Sequence, residues 1–322
     1  MRATLLAQTR EILDRAGYYL STDSALRPLS FDIVARRDDE LLLLKVLTNV
    51  DGLTEPVANE LRIIAQFLDA APLVVGERSS SRPLEDGAVY LRYGVNIVTF
   101  DTLREYLQDG VEPLVYAAPG GFYVNLDGAK LRALREGRGL SLGDLAQAAG
   151  VSRRAIGMYE EGMGAMVEVA MRLEDFLEET LALPSNPFQA APPQAPQPDD
   201  IKTSLHGLGP GFEGTVLRHM TGLGFRVMPT MKSPFSAISK ENLGPDVVLS
   251  GVADEMPDLE KRASATANLC DVTETYGVFF VERTTTRVAI EGMPVLSRQE
   301  LEKVNDPEAL LKILQERRGK KR

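Results

Sequence analysis

Residues 149–160 read AGVSRRAIGMYE, a glycine-centred break followed at once by a helical stretch that opens Ser-Arg-Arg. Gly150 stands where a tight turn between helices needs a left-handed backbone, which costs glycine least. Val151 covers that turn, and Ser152 is placed to cap the helix RRAIGMYE. Ile156 and Tyr159, three apart, face inward. Arg153, Arg154, Gly157 and Glu160 fall on the remaining face. Two readings compete: a solvated bend between helices, or a second helix whose arginines are presented to a ligand.

The preceding residues strengthen the second reading. AKLRALREGRG, 129–139, puts Leu131, Leu134 and Ala133 on one apolar face, and Gly139 ends it. Ser141 then reads as an N-cap with Asp144 three residues on, a variant of the capping box. In LGDLAQAA, 142–149, Leu142, Leu145 and Ala149 point inward, and Ala146 is small where another helix must pass closely. From Asp127 to Leu181 no strand-like alternation is visible. The segment reads as a compact set of short helices.

This combination resembles the Cro/C1-type helix-turn-helix of phage-repressor-like DNA-binding domains. The resemblance continues through EEGMGAMVEVAMRLEDFL, 160–177, and implies a five-helix lambda-repressor-like domain over 122–182. It places Ser141, Gln147, Ser152, Arg153, Arg154, Ala155 and Met158 at double-stranded DNA. Arg153 and Arg154 open the recognition helix, the end that meets base edges or phosphates in the major groove; Ser152 caps it within reach of a phosphate. Two positions depart from the pattern. Leu142 replaces a glutamine that reaches phosphate, and Gly157 costs about 1 kcal/mol against alanine within the helix. Between Phe122 and Thr180 seven Lys/Arg face ten Asp/Glu, a net of −3. Binding by one domain is then weak, and a homodimer engaging two half-sites is expected. As a whole the chain is similar to an archaeal family of helix-turn-helix transcriptional regulators, which implies a cytoplasmic DNA-binding regulator. The alternative is a helix-turn-helix kept as a protein-interaction module, its arginines merely solvated.

The flanks are α/β. The expected order is an α/β domain over 1–118, the helix-turn-helix domain over 122–182, a Pro-rich linker over 183–203, a second α/β domain over 204–316 and a basic tail over 317–322. The stretch YAAPGG, 116–121, reads as a weaker break. Four matches in the same order suggest that the two α/β segments are copies of one unit. GYYL, 17–20, matches GFRV, 224–227; FDIVA, 31–35, matches PDVVLSG, 245–251; LVVGER, 73–78, matches VFFVER, 278–283; and GVNIVTFDTL, 94–103, matches GMPVLSRQEL, 292–301. The fold class expected is therefore a multidomain α/β plus all-α protein. The flanks serve dimerisation, or docking of a protein partner or effector.

Those flanks resemble, at most, a degenerate restriction-endonuclease-like fold. Such nucleases pair a strand aspartate with an acidic-x-lysine on the next strand, two carboxylates holding magnesium. Asp32 and Lys45 echo this pattern, but Leu43 fills the second acidic place. Asp246, the echo of Asp32, has no strand lysine after it at comparable spacing. No catalytic residue, metal or cofactor is expected; the competing readings are a magnesium-dependent nuclease using Asp32 and Lys45, and a non-catalytic scaffold. One cysteine, Cys270, and two histidines, His206 and His219, cannot form a zinc-finger ligand set. A net charge of −10 argues against a surface broadly attracted to nucleic acid, though not against a local basic site. LLLLKV, 41–46, is too short to span a bilayer, and charges interrupt the amino-terminal apolar run too early for a signal peptide.

Overall fold

The computed structural model describes residues 2–23, 26, 29–80, 82–188, 209, 211–253, 259–283 and 287–318. The expected linker beyond Phe188 and the end of the basic tail, 319–322, lie outside the described residues. The chain forms two compact units. One comprises Met1–Val46, Leu53–Pro72 and Ala190–Arg322; the other, Leu47–Gly52 and Leu73–Gln189.

In the first unit, α1 (Arg2–Arg15) buries Leu5, Leu6, Ile12 and Leu13 and ends before Gly17, whose φ is +85°. β1 (Tyr19–Leu20) pairs antiparallel with β2 (Ile33–Arg37), and β2 with β3 (Glu40–Asn49), in the register Ile33↔Leu44. Leu41–Leu44 are all buried, as an apolar run covered on both faces must be. α2 (Glu55–Leu68) has proline in its first turn, where the missing N–H is harmless; the 3-10 turn before it, Val50–Gly52, belongs to the second unit.

The second unit takes up β4 (Ala71–Ser79), with β5 (Arg82–Pro83) at its end, then the hairpin β6 (Ala88–Arg92) and β7 (Val95–Val98). β4 runs parallel to β7, and β6 antiparallel to it. Thr99 caps α3 (Phe100–Arg104), which passes into a π-helical turn, Glu105–Asp109. β8 (Val115–Ala118) and β9 (Gly121–Leu126) form a hairpin, so YAAPGG is a turn rather than a break between segments. Gly120 and Gly121, with φ of +102° and +147°, make that turn possible. Two left-handed glycines in succession look like a linker in sequence, yet here they close a ladder.

The helix-turn-helix domain follows with α4 (Gly128–Gly137), α5 (Leu142–Ala149), α6 (Arg153–Glu160), β10 (Ala165–Met166), α7 (Val167–Leu177) and β11 (Ala182–Leu183). Between Gly128 and Leu177 the described residues form four helices, not the expected five. Gly162, at φ +93°, turns the chain after α6, and β10 joins β9 in the register Ala165↔Val124. β11 joins the same strand. β10 and β11 thus both bond across β9, whose Val124 and Leu126 share a core with Leu131, Leu145, Ile156 and Leu173.

The remaining elements return to the first unit: α8 (Phe212–Leu223), β12 (Phe225–Pro229), β13 (Ala237–Glu241), β14 (Val247–Ala253), α9 (Leu259–Thr273), β15 (Tyr276–Val281), β16 (Ala289–Ile290), β17 (Met293–Ser297), α10 (Arg298–Leu301) and α11 (Pro307–Arg317). Their sheet has the order β12-β13-β14-β15-β17-β16. Its core joins Val216, Leu217, Phe225, Phe280 and Leu310. No helix among the described residues is long and apolar enough to cross a membrane.

Candidate nucleic-acid interface

Each helix boundary in the helix-turn-helix is set by a specific local bond. The Ser141 hydroxyl accepts from the Asp144 amide at 3.2 Å, and the Asp144 carboxylate accepts from the Ser141 amide at 2.7 Å, closing the capping box. Those bonds hold the Asp144 carboxyl below its ordinary value, with a small further contribution from Arg153. Gly150 ends α5 at φ +70°, donating to the Ala146 and Gln147 carbonyls. Arg172 of α7 donates to the Ala149 carbonyl at 2.8 Å, tying down the last turn of α5. Sequence reading missed Arg172 because its partner is a backbone oxygen 23 residues away.

Ser152 then caps α6, accepting from the Ala155 amide at 3.1 Å. With this cap in place, Ile156 and Tyr159 are buried, and Ser152, Arg153, Arg154 and Met158 are exposed. Ala155 is half-buried; Ser141 and Gln147 are exposed on α5. Neither Arg153 nor Arg154 is in an ion pair among the described residues. Arg153 lies back toward the start of α5, where a Cβ added at Gly143 would come within 3.2 Å of its Nε. Two positive side chains thus stand at the dipole-positive end of α6, an arrangement that favours an anion.

Two residues fall elsewhere than expected. Ala133 is exposed, leaving Leu131 as the buried anchor of α4. Glu160 is not on the open face of α6 but buried. Arg135 forks onto it, Nε to Oε1 at 2.6 Å and Nη2 to Oε2 at 3.2 Å, and Arg132 Nε reaches Oε2 at 3.2 Å. The reason is helical spacing, since Glu160 follows buried Ile156 by four and shares its face. The hydrogen bond from Arg135, foremost, holds the Glu160 carboxyl below its usual 4.5.

The start of α4 seals the same junction. A Cβ on Gly128 would lie 2.5 Å from the Tyr159 carbonyl oxygen and 2.6 Å from that of Glu160. Both are backbone atoms and cannot swing aside. Gly128→Ala is therefore expected to cost about 2–3 kcal/mol by overpacking, seen as a lower urea midpoint for the domain. An unchanged midpoint would mean that α4 and α6 separate freely.

The residues that echo a nuclease centre are arranged differently. The Asp32 carboxylate is fully buried and accepts from Arg2 at 2.6 Å and from the Val46 amide at 2.9 Å, with Lys45 Nζ at 3.5 Å. Lys45 also donates to the Leu29 carbonyl. A magnesium site needs several free oxygen ligands. Here Leu43 supplies none, and a guanidinium already sits on the carboxylate, so the residues do not fit one. Among the described residues no group of three or more His, Cys, Asp or Glu is placed to hold a metal ion.

Fold and site together define a helix-turn-helix protein with a nuclease-like α/β domain. The PD-(D/E)XK superfamily domain matches residues 2–113, and the Helix-turn-helix family matches residues 131–183. The chain is 39% identical over 324 residues to a protein of Methanocella arvoryzae, covering 99% of this chain and 98% of that one. A protein of Halorubrum lacusprofundi is 39% identical over 327 residues, covering 98% and 97%, and one of Methanosarcina mazei 37% over 327 residues, covering 98% of each. All three carry the name "Putative HTH-type transcriptional regulatory protein". The chain belongs to this family of HTH-type transcriptional regulatory proteins. No solved structure matches it.

Proposed function

We propose that the protein is a cytoplasmic regulator that binds double-stranded DNA in a sequence-dependent way, with α6 entering the major groove. The observation that carries this reading is the pair of exposed arginines, Arg153 and Arg154, on a Ser152-capped helix whose other face is locked into the domain core. A guanidinium forking onto guanine contributes about 1–3 kcal/mol of discrimination. Ser152, Ser141 and Gln147 border the phosphates, and Ala155 and Met158 lie beside the base edges. The acidic surroundings weaken a single domain, so two chains acting as a homodimer on paired half-sites complete the reading. The α/β lobes are left to dock a partner or an effector.

We further propose that the protein is not an enzyme, on the strength of the Asp32–Arg2–Lys45 cluster. Two experiments test these readings. Selection from a pool of random duplexes should converge on one motif; enrichment without convergence contradicts sequence-specific binding. With magnesium or manganese the protein should leave that duplex intact. Cleavage that disappears on Asp32→Ala would establish the nuclease instead.

A further inference from the structure

Apart from the 3-10 turn Val50–Gly52 and β5 in the first and α11 in the second, the two α/β segments share one order of elements. Each runs helix, three strands, helix, strand, hairpin, helix. β1–β2 and β12–β13 are both antiparallel, as are β2–β3 and β13–β14; β4–β7 and β15–β17 are both parallel; β6–β7 and β16–β17 are both antiparallel. The same unusual backbone sites recur. Tyr93-Gly94 and Glu291-Gly292 close the hairpins with two successive positive φ values, and Asp69 and Glu274, at φ +52° and +54°, follow α2 and α9. Hairpin turns of this kind suit right-handed strand twist. An acidic residue forced to positive φ at both equivalent helix ends is harder to ascribe to chance.

The contacts inside the first unit repeat too, and they are reciprocal. α2 packs on β13, and α9 packs on β2. Two residues after β1, the Thr22 amide donates to Asn268 of α9 at 2.7 Å; two residues after β12, the Met231 amide donates to Glu60 of α2 at 3.0 Å. Arg36, fourth in β2, pairs with Glu274 at 2.8 Å, while Lys240, fourth in β13, pairs with Asp69 at 2.6 Å. Ser30, three residues before β2, meets Lys232, three residues after β12, its amide donating to the Lys232 carbonyl at 2.8 Å. An interface in which patch i meets j and j meets i is the signature of a two-fold dimer.

We propose that residues 212–317 are a second copy of the PD-(D/E)XK-type domain, and that its role is to occupy, within one chain, the self-association surface of the first. The surface formed by α2, β2, Thr22 and Ser30 is built for a lobe of its own kind, and the chain supplies that lobe itself. A homodimer of whole chains must then pair through other surfaces. This inference is independent of DNA binding.

A zero-length carbodiimide tests it on the full chain, since it couples only amines and carboxylates already in contact. Lys240 should couple to Asp69, and in an Arg36→Lys variant the new amine should couple to Glu274. Both products should run at the monomer mass of 35.2 kDa on a denaturing gel. Asp69→Asn should abolish the first coupling and leave the second. Either cross-link found only in a species of twice that mass would show that the surface pairs between chains. Coupling at neither position would show that the reciprocal interface does not exist.

Discussion

Glu160→Ala should destabilise the helix-turn-helix domain by about 3 kcal/mol, near the lower end of the cost of breaking a buried ion pair from one side. The carboxylate is 4% exposed and accepts from two arginines, of which Arg135 is itself only 15% exposed. Removal leaves the Arg135 guanidinium poorly solvated and unties α4 from the end of α6. For a domain of this size the melting temperature should fall by roughly 12–24 °C, and hydrogen exchange should accelerate first in α4 and α6. Glu160→Gln keeps the shape and should cost less. The effect also depends on pH with a definite sign. Because the folded value lies below 4.5, folded protein binds fewer protons than unfolded protein near that pH. The stabilisation is complete above 4.5 and disappears as pH falls through the folded value. Urea midpoints of wild type and Glu160→Ala should therefore differ widely at pH 7 and converge in acid. Coincident midpoints at pH 7 would show that the Arg135–Glu160 pair carries no net stability, and a constant offset down into acid would show that the ionised carboxylate is not its source.

Glu160 also shows what the sequence did and did not make legible. Capping and turn chemistry is local, and Ser141, Asp144, Gly150 and Ser152 all do what their spacing predicts. The charge of Glu160 suggests an open face, yet its place four residues after buried Ile156 sets it inward. Its partners, 25 and 28 residues upstream, had no local trace. That four helices, not five, lie between Gly128 and Leu177 has a related cause. Residues 161–164 are punctuated by Gly162 and Gly164, and only a ladder to β9, about forty residues earlier, fixes Ala165–Met166 as a strand. In the α/β flanks, three of the four matched stretches fall on equivalent elements. The fourth, FDIVA with PDVVLSG, joins β2 to β14, which hold different places in the strand order. Short β-branched runs resemble one another, and only pairing distinguishes them. The Asp32 cluster was half visible: Leu43 in place of an acid could be read directly, whereas Arg2 reaching across from α1 could not.

The second large effect concerns Arg153 and Arg154. Both are exposed, neither touches the core, and the caps that form α6 use Ser152 and backbone groups. Replacing both with alanine should leave the fold intact, with a melting temperature within a few degrees of wild type. Affinity for duplex DNA should drop by over 100-fold, since two contacts together carry about 3 kcal/mol or more. To the extent that the guanidinium groups neutralise phosphates, the dependence of log affinity on log salt should also flatten, by about one for each.

The most direct measurement is thus the affinity of wild type and of the Arg153→Ala, Arg154→Ala double variant for a duplex selected by the wild-type protein, followed across a salt series. Salt-sensitive binding by wild type, lost in a double variant that melts normally, is the expected outcome. Equal affinity in the two proteins would contradict the assignment of α6 as the helix that meets DNA.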